Sequence, residues 1–251
     1  MRIAYLDFVY DDRDCLEEIA DEMRKCANEG TKLDYVCLEK VSTLDYMAYE
    51  AIILPELIKA VGEISQKGYD AVIIGCCLDP GINMLREIHK DIVIVGPFES
   101  ATAIAKVLGR KFSIVATRPK AREQYLETIY RTGCGDALAS IRFLDLKVAD
   151  IHVNQERLHD KMTLEIEKAI SEDFADVIVL ACTMETGQYV QLQKKFNIPV
   201  IDPTVAALKY AEMMVNVRET CGWSVSSIGT YESPPKGELD KFLNKEMKIK
   251  W

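Results

Sequence analysis

The chain contains two copies of one pattern. DAVIIGCCLDPG, from Asp70 to Gly81, and DVIVLACTMETG, from Asp176 to Gly187, align without a gap, and the register continues until Pro97 falls on Pro203, Ala101 on Ala207 and Ala105 on Ala211, at a constant spacing of 106 residues. Each copy runs from an aspartate through five aliphatic or small residues to a cysteine, then a helix, then a strand that enters an alanine-rich helix. A period of this length is too long for a solenoid unit and suits two similar α/β halves related by an approximate twofold axis.

The rest of the chain has the same grain. β-rich runs (RIAYLDFV, LDYVCL, DIVIVG, KFSIVAT, IRFLD, IPVID) alternate with helix-length stretches such as Asp12 to Asn28 and Tyr49 to Lys67. Continuous apolar strands in this order indicate parallel sheets covered by helices on both faces. The expected fold is therefore α/β, with two pseudo-symmetric Rossmann-like (flavodoxin-like) halves and an active site in the cleft between them. A further strand at Trp223 to Ile228 would return the C-terminal segment to the first half. That gives a discontinuous first domain, 1–97 plus 205–251, around a second at 98–204.

Composition narrows the function. The chain has 251 residues and a formal charge of -9, with its acidic residues scattered, so it offers no basic stripe for nucleic acid or an anionic membrane surface. A small-molecule substrate is the expected partner. The N-terminal residues lack the pattern of a secretory signal and no run approaches a membrane span, so a cytoplasmic location is expected. Eight cysteines in such a protein read as reduced thiols. With no CxxC pair, and His89, His152 and His159 showing no zinc-site spacing, no metal is expected.

Ligands of open parallel sheets bind beyond the carboxyl ends of the strands, where Cys76 and Cys182 both stand. Asp79 and Pro80 read as the N-cap and first residue of a helix running towards His89. Thr183 and Thr186 offer capping hydroxyls for a helix over Gln188 to Phe196. Helix N-termini would favour the thiolate forms. Two opposed thiols suit stereoinversion next to a carbonyl: one removes a proton and the other supplies one to the opposite face, with no cofactor. A single cysteine at a strand end is more often a small core residue. Equivalent placement in both halves favours the chemical reading.

The stretches IIGCCLDPGINMLREI, IVIVGPFESATAIAKVLGRKFSIVAT, VIVLACTM and IPVIDPTVAALKYAEMMV resemble the aspartate/glutamate/hydantoin racemase superfamily, most closely its hydantoin racemase branch, over roughly Asp70 to Val215. The resemblance implies a cofactor-independent enzyme of two α/β halves, with Cys76 and Cys182 as paired acid and base, and assembly into homo-oligomers. Where that branch usually has an Asn-Pro-Asn-Thr-like loop, this chain has DFVYDDRD.

The remaining site candidates have two readings each. Asp7 either orients a substrate or joins Asp11 and Asp12 in capping the first helix, and Phe8 and Tyr10 either line the pocket or pack. The hydroxyls of Ser42, Thr43, Thr117 and Thr183 either reach substrate oxygens or serve turns and caps. Cys77, beside the first thiol, has no counterpart in the repeat and stands as a structural thiol or at the substrate. Glu99 either buttresses the cleft or, exposed, complements a helix dipole. Rival functions are a maleate-type isomerase or a decarboxylase of the same superfamily, non-catalytic binding of a small molecule, and, last, a redox role for the thiols.

Overall fold

The computed structural model describes residues 1–9, 15–41, 43–151 and 153–243. Two four-stranded parallel sheets share one plan. The first has the order β2-β1-β3-β4, built from β1 (Arg2–Val9), β2 (Lys32–Val41), β3 (Ala71–Ile74) and β4 (Val93–Val95). The second has the order β6-β5-β7-β8, from β5 (Phe112–Ala116), β6 (Leu138–Phe143), β7 (Val177–Leu180) and β8 (Val200–Ile201). Every residue of β3, β5 and β7 is buried, which is why these strands read as unbroken aliphatic runs rather than alternating ones.

Helices α1 (Cys15–Cys26), α2 (Met47–Gln66) and α3 (Ile82–Ile88) follow the strands of the first half, and α5 (Arg122–Arg131), α6 (Gln155–Ser171) and α7 (Tyr189–Phe196) those of the second. The two alanine-rich helices cross over. α4 (Pro97–Leu108) leaves the first sheet, and its Phe98, Ala101 and Ala105 pack with Ile114, Val177 and Val179 of the second. α8 (Pro203–Cys221) leaves the second sheet, and its Ala207, Leu208, Ala211 and Val215 pack with Ile3, Tyr5, Ile73 and Val95 of the first. Small residues let α4 and α8 lie close between the sheets, so the halves are tied together along this seam.

The C-terminal segment departs from expectation, since Trp223 to Ile228 forms no strand. Trp223 and Ile228 are exposed, so a strand here would have no face to bury. The segment instead lies along α3 and is held by polar contacts. Lys90 donates to the Ser226 and Tyr231 carbonyls at 2.8 and 2.7 Å, and the Tyr231 hydroxyl to Asn83 at 2.9 Å. A short helix α9 (Glu238–Leu243) then sets Leu239 and Leu243 against the first core.

Candidate active site

In each sheet the order of the parallel strands reverses between the two middle ones, β1 and β3 in the first and β5 and β7 in the second, so their carboxyl ends open onto a crevice. The two crevices form one pocket. Its walls include Asp7, Thr43, Cys76, Cys77, Thr117, Cys182 and Thr183, together with Asp45, Arg118, Lys120, Gln124 and Tyr125. Ser42, Tyr10, Asp11, Asp12 and His152, and the side chain of Phe8, lie outside the described residues.

The two cysteine turns share a set of hydrogen bonds, although Asp79 has a positive φ of 49° and Glu185 does not. Gly75 N–H donates to Leu6 O at 2.8 Å and Ala181 N–H to Val115 O at 2.9 Å, which ends each strand identically. The N–H two residues beyond each thiol turns back on it: Leu78 N–H donates to Cys76 Sγ at 3.4 Å, and Met184 N–H to Cys182. The next N–H, of Asp79 or Glu185, closes on the cysteine carbonyl at 3.0 or 3.1 Å. Gly81 and Gly187 then take positive φ values of 67° and 86°, which glycine adopts without steric cost. The Thr183 hydroxyl joins the two turns, donating to Gly75 O at 3.5 Å.

Neither thiol lies at the start of the α-helix that follows it. α3 begins only at Ile82, and a 3₁₀ turn over Thr183–Glu185 precedes α7. The expected lowering of the thiol pKa is therefore overturned. Burial pushes Cys76 up to about 12, against the single N–H of Leu78, and pushes Cys182 well above the ordinary thiol value. Cys77, which packs into the second core, is raised for the same reason.

The expected caps are also redistributed. Asp79 does not cap α3, whose N-cap is Gly81. Held at φ 49°, it points its carboxylate at the start of α4 and accepts from Phe98 N–H at 3.0 Å and Glu99 N–H at 2.8 Å. This needs Gly96, where a Cβ would stand 2.5 Å from the Asp79 carboxyl carbon. Burial and the neighbouring Glu99 push Asp79 up to about 8. Thr183 and Thr186 do not cap α7; Thr186 donates to Thr183 O at 2.6 Å and meets the Thr204 hydroxyl at 3.0 Å. Glu99 is neither exposed nor in the pocket. It is buried in a two-toothed ion pair with Arg86 and accepts from Gly96 N–H at 3.3 Å. His89 is no helix-end cation either, because burial lowers its pKa while its ring bonds Ile58 O at 2.9 Å.

Other groups emerge only from the packing. Arg118 and Asp45 pair across the cleft at 3.3 Å, joining the loops after β5 and β2. Tyr125 on α5 donates to Ala181 O at 2.8 Å, steadying the residue before Cys182. The Tyr35 hydroxyl donates to Asp7 at 3.1 Å beneath the pocket. Arg118 directly follows Thr117 at a strand end, and that position was its signal in the sequence.

The sequence profile of Asp/Glu/Hydantoin racemases matches residues 13–211. This chain belongs to that family. A hydantoin racemase of Rhizobium meliloti is 32% identical to it over 187 residues, 74% of this chain and 76% of that protein. The solved structure of an allantoin racemase from Pseudomonas fluorescens superposes with a TM-score of 0.85 at 25% identity, covering 100% of both chains. An allantoin racemase from Klebsiella pneumoniae gives 0.84 at 26% identity, with 94% of each chain covered. The protein is thus a racemase of this family, and an isomerase by class. Among the described residues no group of three His, Cys, Asp or Glu is disposed to hold a metal ion, and no helix is long and apolar enough to cross a membrane.

Proposed function

We infer that the protein racemises a hydantoin-like cyclic ureide, with Cys76 and Cys182 as the two proton-transfer groups and no cofactor. The observation that carries this reading is the matched pair of turns, which brings two thiols from corresponding strand ends into one pocket. As thiolate, one cysteine removes the proton from the carbon beside the carbonyl. The resulting enolate takes a proton on its opposite face from the other cysteine, which becomes the thiolate. One proton enters and one leaves, with no change of oxidation state, so the cycle closes without a metal or redox group.

Burial keeps a thiol neutral, which suits the proton donor of the pair, and the cycle starts from the state in which the other cysteine is the thiolate. Thr43, Thr117 and Thr183 supply hydroxyls around the ring, and Arg118, Lys120 and Gln124 make the wall on the second half polar. Asp7, tied to Tyr35, takes the place of the more usual amide loop and faces the substrate N–H groups in this reading.

The test is polarimetric racemisation with deuterium uptake in D₂O on 5-substituted hydantoins and allantoin, with aspartate and glutamate as controls. The expected result is racemisation of a cyclic ureide that is lost in Cys76→Ser and in Cys182→Ser. Full activity in either variant, or no exchange with any ureide, overturns the reading.

A further inference from the structure

The repeat pairs Asp79 with Glu185 and Gly96 with Asp202 at the same spacing of 106 residues. In the first half one carboxylate serves the helix start: Asp79 occupies the space that Gly96 leaves open and takes the N–H groups of Phe98 and Glu99. In the second half Asp202 does this from its own position. It accepts from Thr204 N–H at 2.9 Å and Val205 N–H at 3.3 Å, the residues equivalent to Phe98 and Glu99, and from Gly187 N–H at 2.8 Å. The place that Glu185 would fill by symmetry is occupied.

Glu185 is therefore left over. It is fully buried in the 3₁₀ turn that begins just after Cys182, and among the described residues neither of its carboxyl oxygens has a hydrogen-bond partner. The backbone N–H groups of Ala181 and Cys182 face it, but that of Ala181 is already committed to Val115 O. That leaves the Cys182 N–H as the one donor turned towards it, and a buried carboxyl so poorly partnered is costly. Once ionised, it acts on what lies beside it, and Cys182 lies beside it.

We propose that Glu185 is a positioning residue that keeps Cys182 in the thiol form, so that two thiols in similarly hydrogen-bonded turns are unequal, Cys182 the acid and Cys76 the more readily ionised partner. Carboxylate at 185 and thiolate at 182 exclude each other in so dry a space, and the carboxyl is the stronger acid, so it ionises first. The acids beside Cys182 add to this effect, whereas Asp202 opposes the ionisation of Glu185 itself. Asp202 faces Glu185, while Cys76 and Asp45 face Cys182, and Cys77 and Tyr125 adjoin both; all are acids. Cys76 also has acids beside it, Asp79, Glu50 and Asp7, but each of these carboxyls is held by a hydrogen bond, Asp79 from the start of α4, Glu50 from Gln124 and Asp7 from Tyr35. The proposal rests on the two-thiol reading of the cleft, and its test needs no substrate, so the two can fail separately.

The test is the pH dependence of alkylation by iodoacetamide, resolved for each cysteine by peptide mass spectrometry, in the full-length protein and in Glu185→Gln and Glu185→Met. In the wild type the midpoint for Cys182 is expected above that for Cys76. In both variants the Cys182 midpoint moves to lower pH, raising its alkylation at fixed alkaline pH by about threefold or more, while that of Cys76 stays within about 1.5-fold. Glu185→Asp restores the wild-type order. An unchanged Cys182 midpoint, or equal acceleration of both cysteines, overturns the proposal, and the wild-type order alone does so if Cys182 ionises first.

Discussion

The turn after Cys76 and the turn after Cys182 repeat each other in hydrogen bonding: both send an N–H to the thiol, both close on the cysteine carbonyl and both pass through a glycine of positive φ. Their acids do not repeat. One half carries a carboxylate on the turn and a glycine at the helix start; the other carries carboxyls at both places. The first two free N–H groups of a buried helix need one anionic acceptor, and either position can deliver it. The hydrogen bonds of the turn are held in common by the strand-turn-helix geometry, whereas the acceptor can change position, and in the second half the change leaves a carboxyl behind the thiol.

The largest test of this likeness is the loss of either thiol. Cys76→Ser and Cys182→Ser are each expected to lower kcat/KM for racemisation by about 10²- to 10⁴-fold, measured by polarimetry, and unequal losses would mark the limit of the symmetry. Gly96→Ala probes the first half alone. Its Cβ would collide with the Asp79 carboxyl, and the expected loss is about 1–3 kcal/mol in denaturant unfolding, while an unchanged midpoint would contradict the shared-cap account. Asp202→Ala removes the corresponding acceptor in the second half and should cost about 0.5–2 kcal/mol, the range for a lost N-cap.

Stability against pH sharpens the contrast further. Burial raises the pKa of Glu185 in the folded state, so the native protein holds a proton that the unfolded chain releases. That contribution is complete below the ordinary glutamate value and is lost as pH rises through the folded one. Between about pH 5 and about pH 8 the wild type should therefore lose more unfolding free energy than Glu185→Gln, by an amount on the order of 1 kcal/mol, the scale of an unpartnered buried polar group. Thermal melts at the two pH values decide it, and parallel curves would count against a neutral buried Glu185. The smallest effect belongs to the link between the turns: Thr183→Val gives up a long contact to Gly75 O and should cost no more than about 0.5 kcal/mol, read from chemical denaturation.

Much of this was legible in the chain. β3 and β7 are strands covered on both faces, so they must be apolar throughout, and both end where the aliphatic run meets cysteine. The spacing of 106 residues then places the thiols at corresponding points of the two sheets, and even pairs Asp79 with Glu185. The capping errors have one cause. Asp79 was assigned to the helix next to it in sequence, whereas its carboxylate goes to α4, which reaches it only because β3 and β4 are neighbours. At Trp223 to Ile228 strand-like residues met no surface to cover.

The sequence by itself therefore determined the repeated α/β plan and the position of both cysteines, because strand burial and strand-end geometry are local consequences of apolar pattern. Tertiary structure alone decided the direction of the thiol pKa shifts, the Arg118–Asp45 pair across the cleft, and which carboxyl was left without a partner. Desolvation and charge pairing depend on the groups that packing brings within a few ångströms from distant parts of the chain, and those neighbours are set only when the two halves close on each other.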